Sequence, residues 1–101
     1  MPLVDSGPGR NLYFGATGGT ASGAEENTTL CAGDANTPTA APGIVCVYLS
    51  SVSNVGPGAE LYAGADASTG DGAESSGFYA YFSSLAAGAI VARYVWAYTA
   101  P

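Results

Sequence analysis

Apolar side chains recur along this chain in short runs with a period of two, and small or polar residues separate the runs. The strongest run covers residues 44–53, where both parities are apolar at the start, as in a strand covered on both faces. An aromatic run at 77–83 and a longer run at 89–99 also predict strands. Three shorter runs predict further strands, at residues 11–17, 27–32 and 59–64.

Glycine, proline and small residues mark the connections between these runs, as at Gly56-Pro57-Gly58. Residues 1–10 contain two prolines and two glycines and predict an extended N-terminal arm, with residues 11–101 as a single β domain. The expected fold is all-β: a small antiparallel β-sandwich or barrel of about five to seven strands with long loops rich in Gly, Ala and Ser.

The composition predicts a small hydrophobic core with few large apolar side chains. The hydrophobic fraction is 48%, but 19 of these residues are alanine, and Leu, Ile, Val and Phe together number only 18. Ordering one residue costs roughly 1–2 kcal/mol, so a core of this size is marginal for an isolated domain. A neighbouring subunit is the simplest source of further stabilisation, and we therefore expect a protein partner.

The charged residues further limit the classes of partner that can be expected. The net charge is −6, lysine is absent, and Arg10 and Arg93 are the only cations. Neutralising phosphates requires clustered Lys and Arg, so nucleic acid and an anionic membrane surface are not expected partners. Residues 77–101 carry Arg93 as their only charge, but an arginine within a membrane span costs about 2.5–3.5 kcal/mol, which argues against a transmembrane helix.

The side chains that most catalysis requires are missing. The chain has no histidine and no lysine, which removes the commonest general base and the Schiff-base amine. Carboxylate pairs are the remaining catalytic option, and the candidate groups lie in two predicted loops, one with Glu25 and Glu26 and one with Asp66, Asp71 and Glu74. The second loop carries oxygen ligands of the kind that bind Ca²⁺, but the spacing of its carboxylates does not match an EF-hand loop. A solvated acidic loop is therefore favoured over a metal site. We expect neither an enzyme nor a cofactor.

Cys31 and Cys46 are the only cysteines. They could form a disulfide that closes a loop of about 15 residues, worth roughly 3 kcal/mol, or remain two buried thiols. The even count favours a disulfide. Residues 1–5 lack the basic region and apolar core of a secretory signal, and this favours synthesis in the cytoplasm and free thiols. Both alternatives stay open at the level of sequence.

The last predicted strand is the first place to look for an interface. Its alternation puts Tyr94 and Trp96 on one face and Arg93 on the other, and both faces are substantially apolar. One face can pack on the protein's own sheet, and the other then needs a partner; the alternative is a central strand with Arg93 paired to an internal carboxylate. The interface candidates are Phe78, Tyr79, Tyr81, Phe82, Arg93, Tyr94, Trp96 and Tyr98, with Leu3 and Arg10 in the arm.

In general character the chain resembles the small β-sandwich proteins that decorate or cement bacteriophage capsids. The resemblance spans the whole chain and rests on its short length, the Met1-Pro2 start, the Gly7-Pro8-Gly9 arm, the acidic body and the aromatic C-terminal strands. It implies a virion protein that oligomerises, often as trimers, and stabilises the capsid shell, with the arm as a contact.

Two other functional classes fit the same residues. One is a subunit of an extracellular filament or surface layer, in which terminal strands complete a neighbour's sheet. The other is a secreted carbohydrate- or ligand-binding β module that uses exposed Tyr and Trp side chains.

Overall fold

The computed structural model describes residues 11–21, 25–63 and 78–100. Within these ranges the protein is all-β and has no helix, as the sequence predicts. The described strands are β1 (Leu12–Phe14), β2 (Val45–Ser53), β3 (Glu60–Ala63), β4 (Phe78–Tyr81) and β5 (Val91–Tyr98).

One predicted strand, at residues 27–32, is wrong. The backbone turns there, and the Asn27 side-chain oxygen accepts hydrogen bonds from the N–H groups of Thr29 and Leu30 at 3.1 and 2.9 Å. An asparagine that bonds to the backbone two and three residues later offers the chain an alternative to a strand ladder. The local side-chain bond therefore outweighs the β-propensity of the two threonines.

The strands form a three-stranded sheet in the order β1-β2-β5 and a two-stranded sheet of β3 and β4. β1 and β2 are parallel, whereas β2 with β5 and β3 with β4 are antiparallel. The expectation of a purely antiparallel fold is thus wrong, because residues 15–44 return the chain to the end of the sheet at which β1 began. The barrel alternative is wrong as well, since the described strands do not close on themselves.

The main core lies between the two sheets. β1 contributes Leu12 and Phe14, β2 contributes Val45 and Val47, and Leu61 of β3 faces them; all are almost fully buried. The alternation of side chains along each strand places these residues on one face. The two sheets therefore share a single hydrophobic core.

The other face of β2 is covered by an irregular segment, residues 27–44. Cys31 of this segment forms a disulfide with Cys46 of β2, and both are buried against Tyr48. The Tyr48 hydroxyl accepts a hydrogen bond from the Gly33 N–H at 3.1 Å and donates one to the Thr39 carbonyl. This segment explains why both parities of β2 are apolar, and it shows that the structure contains the disulfide rather than two thiols.

Candidate functional site

The most exposed aromatic side chains of β5 lie on the same face as the main core. Trp96 is 56% exposed and Tyr94 is 41% exposed. Their cross-strand partners in β2 are Val47 and Leu49, which pack in that core. Cross-strand partners share a face, so both rings project from the inner side of the three-stranded sheet at its edge.

Phe78 of β4 connects these rings to the second sheet. Its ring centroid lies 5.9 Å from that of Trp96, edge to face, and 6.3 Å from that of Tyr94. These contacts leave about half of Trp96 in solvent. We call Phe78, Tyr94 and Trp96 the aromatic patch, and it is an apolar surface that the described part of the chain leaves partly uncovered.

Two other aromatic candidates belong to the core. Phe82 and Tyr98 are half-buried and pack against the main cluster, and the ring of Phe82 lies 6.3 Å from that of Phe14. Their side chains therefore stabilise the main core. Neither side chain offers the open surface that the aromatic patch has.

The opposite face of β5 presents a different surface. Arg93 is exposed, Val91 is 40% exposed, and Val95 is half-buried against the disulfide cluster. Among the described strands, β5 lies at the edge of its sheet and not at its centre. The guanidinium therefore faces solvent beside apolar side chains instead of the interior of a sandwich.

Tyr81 lies apart from the aromatic patch. It is 55% exposed and points away from the core, because its neighbours Ala80 and Phe82 both pack inward. The other predicted candidates, Leu3, Arg10 and the side chain of Tyr79, lie outside the described residues.

The Glu25–Glu26 pair has a structural role that its expected place in a flexible loop did not indicate. Glu25 is 9% exposed, and its carboxylate accepts a hydrogen bond from the Leu61 N–H at 2.6 Å. The Glu26 carboxylate accepts hydrogen bonds from the N–H and hydroxyl of Thr17 at 2.8 and 2.7 Å. The signal available in the sequence was the acidic pair itself, but its partners lie too far along the chain for pattern reasoning to find.

Within the described ranges, no three side chains of the types that ligate metals lie close enough to hold an ion. The acidic loop residues Asp66, Asp71 and Glu74 lie outside those ranges. In the same ranges, no helix has the length and apolar character that crossing a membrane requires.

Comparisons of the chain with protein-family models, with curated proteins and with solved structures find no match.

Proposed function

We propose that this chain is a non-catalytic structural subunit, a small β-sandwich that forms homo-oligomers through the β5 region and decorates a viral capsid. The observation that carries the proposal is the aromatic patch. Trp96 and Tyr94 are exposed side by side on the face that elsewhere forms the core, with Phe78 packed against both. Aromatic side chains are enriched among the residues that contribute most to binding at protein interfaces.

The size of the core supports an assembly over a solitary domain. The described chain buries few large side chains, and its exposed ones include Trp96, Tyr94 and Val91 at one sheet edge. Burying apolar surface contributes about 25 cal/mol per Å², so covering these side chains would add stability that the thin core lacks.

The disulfide between Cys31 and Cys46 supports a location outside the reducing cytosol. A released virion meets that condition, and so does an extracellular filament. The capsid setting rests on the resemblance in general character, together with a net charge of −6 that suits docking onto a basic partner. Genomic position tests the setting: a neighbouring gene for a major capsid protein supports it, and neighbouring secretion or pilus genes contradict it.

The self-association is tested by two aromatic substitutions of similar exposure. Trp96→Ala removes the centre of the aromatic patch, whereas Tyr81→Ala removes a ring that is 55% exposed on the outer face of β4. Light scattering coupled to size-exclusion chromatography should show an oligomer for the wild type and Tyr81→Ala, and a smaller species for Trp96→Ala. Circular dichroism should show that all three proteins are folded.

Other outcomes would favour other functions. A wild-type protein that is monomeric at every concentration contradicts self-association. Open-ended polymers in negative stain favour a filament subunit. Quenching of Trp96 fluorescence by an added oligosaccharide favours a carbohydrate-binding module.

A further inference from the structure

We propose that two copies of this chain join the outer edges of β5 in antiparallel register, with a two-fold axis between the two Val95 residues. The inference rests on the proposed self-association and specifies its geometry.

The directions of the backbone groups along β5 follow from two hydrogen bonds. The Arg93 carbonyl accepts a bond from the Ser50 hydroxyl at 3.1 Å, and the Thr99 carbonyl accepts one from the Gly43 N–H at 2.6 Å. Both donors belong to β2 or to the segment that leads into it. The N–H and C=O of one residue in an antiparallel strand point to the same side, and successive residues alternate. The odd-numbered residues thus face β2, and the outer edge is formed by Ala92, Tyr94, Trp96 and Tyr98.

β2 has the alternation that this assignment requires. The Val45 N–H donates to the Asn11 carbonyl at 2.8 Å, and the Val47 carbonyl accepts from the Gly15 N–H at 2.9 Å, so both valines are directed towards β1. Their partners Tyr98 and Trp96 must then be directed away from β2. No described strand pairs with that outer edge of β5.

The proposed register is the one in which every outward-facing backbone N–H and C=O group of β5 forms a hydrogen bond. If the axis passes at Val95, Ala92 meets Tyr98 of the second copy, and Tyr94 meets Trp96 of the second copy. By symmetry all four outward residues are paired, and the two copies exchange about eight backbone hydrogen bonds. Moving the axis by one residue to either side centres the ladder on Tyr94 or on Trp96, and it then uses fewer of these groups.

The side chains match in the same register. Ala92 lies opposite Tyr98, and Ala97 lies opposite Arg93, so a small side chain meets a large one at both positions. Tyr94 lies opposite Trp96 on the inner face, which brings the two aromatic patches together. Aromatic cross-strand pairs each stabilise a sheet by roughly 0.2–1 kcal/mol. The two Arg93 side chains are kept four residues apart along the ladder.

A second copy is favoured over a foreign strand because β5 is complementary to itself in both hydrogen bonding and side-chain size. It also lacks the usual protection of an exposed edge, since residues 91–98 contain no proline and no lysine, and the bulge lies in β2 between Leu49 and Ser51. No carboxylate occurs in residues 91–98, so the pairing opposes no acidic side chains. A closed two-fold contact is also the commonest symmetry of oligomers.

The pairing has a consequence for the assembly. Two three-stranded sheets would become one continuous sheet of six strands in the order β1-β2-β5-β5-β2-β1. An isologous contact gives an even number of copies, whereas the resemblance to decoration proteins implies trimers. The molecular mass of the oligomer therefore distinguishes the β5 pairing from a trimer.

Single cysteines placed along β5 test the register. The residues at the axis form a non-hydrogen-bonded pair with Cα atoms about 4.5 Å apart, within the range of a disulfide. Under mild oxidation, Val95→Cys should give a covalent dimer as the dominant product. Arg93→Cys and Ala97→Cys occupy the same face but lie about 13 Å from their copies in this register, so they should remain uncrosslinked. Peptide mapping by mass spectrometry assigns the new bond and shows that Cys31–Cys46 is intact.

Two proline variants test the backbone bonds. The Ala92 N–H points outward, so Ala92→Pro should keep the fold and shift the mass from about twice 9.9 kDa to that of one chain. The Ala97 N–H faces Cys46 across the ladder, so Ala97→Pro should lose the fold itself. If Ala92→Pro fails to fold, the cysteine scan alone decides.

The results separate this inference from the proposed function. A wild-type protein that is a monomer at all concentrations overturns both. A trimer, an open-ended polymer, or an oligomer that crosslinks at position 93 or 97 but not at 95 overturns only the β5 pairing. A folded Ala92→Pro variant that stays dimeric also overturns it.

Discussion

The Glu25 carboxylate and the Leu61 N–H are joined by a hydrogen bond of 2.6 Å in the interior of the protein. The backbone carbonyl of Glu25 also accepts a bond from the Phe14 N–H at 2.8 Å. One acidic residue thus connects β1 of the three-stranded sheet with β3 of the two-stranded sheet. The contact fixes how the two sheets meet around the core.

Glu25→Ala should therefore lower the free energy of unfolding by about 1–3 kcal/mol, because the buried Leu61 N–H loses its acceptor. Glu25→Gln should retain most of the stability, since the amide oxygen can accept the same bond. Urea denaturation followed by circular dichroism measures both. Equal losses in the two variants would show that the charge, and not the acceptor, stabilises the contact.

The Tyr48 hydroxyl should be similarly important on the other face of β2. Tyr48→Phe leaves the Gly33 N–H and the Thr39 carbonyl without their partner, and we expect a loss of about 1–3 kcal/mol in the free energy of unfolding. Tyr94→Phe is the matched control, because that ring is exposed and its loss of a hydroxyl should leave stability unchanged. A similar loss in both variants would contradict the role of Tyr48 as an anchor for the covering segment.

Reduction of the disulfide should destabilise the whole domain. Closing a loop of about 15 residues stabilises a fold by roughly 3 kcal/mol in the chain-entropy treatment. The Cys31→Ala/Cys46→Ala double variant should unfold at a lower urea concentration by a corresponding amount. Because the two cysteines are bonded to each other, a thiol reagent should find no free thiol in the native or the denatured protein, and two only after denaturation with reductant. Free thiols in the unreduced, denatured protein would contradict the bond.

Substitution of Asn54 should lower the free energy of unfolding for two separable reasons. Its backbone has a positive φ of 57°, and its side chain bonds Ala86 and Ala89 in the turn before β5. Asn54→Gly and Asn54→Ala both remove the side-chain bonds, but only the glycine variant also removes the Cβ from the left-handed region, where a Cβ costs about 1–2 kcal/mol. We expect Asn54→Ala to be the less stable by about that difference in chemical denaturation. Equal stability would mean that the backbone relaxes to a negative φ.

Local patterns were sufficient for most of the strands. The runs at 44–53, 77–83 and 89–99 contain β2, β4 and β5; β2 begins one residue after its run begins, and β5 begins two residues later and ends one residue earlier than its run. The doubly apolar start of β2 correctly indicated a strand covered on both faces. The strand predicted at residues 27–32 was wrong because the Asn27 side chain forms hydrogen bonds with the backbone beside it. β-propensity does not take such local bonds into account.

Interactions between distant residues were beyond those patterns. Nothing in the alternation of β1 distinguishes a parallel from an antiparallel neighbour, since both orientations bury the same side chains. The pairing of Glu25 with Leu61 joins residues 36 positions apart. Likewise, the apolar pattern of β5 fits a central strand as well as an edge strand, and only its neighbours in space decide which it is.

The sequence by itself determined the all-β class, the position of the main strands and the absence of histidine and lysine, because side-chain chemistry and a two-residue period are local properties. The tertiary structure decided the mixed sheet, the disulfide and the burial of Glu25. It also decided that β5 is the edge strand of its sheet within the described part of the chain, with Trp96 and Tyr94 half in solvent. These features depend on which distant segments meet, and that is settled by the packing of the whole chain.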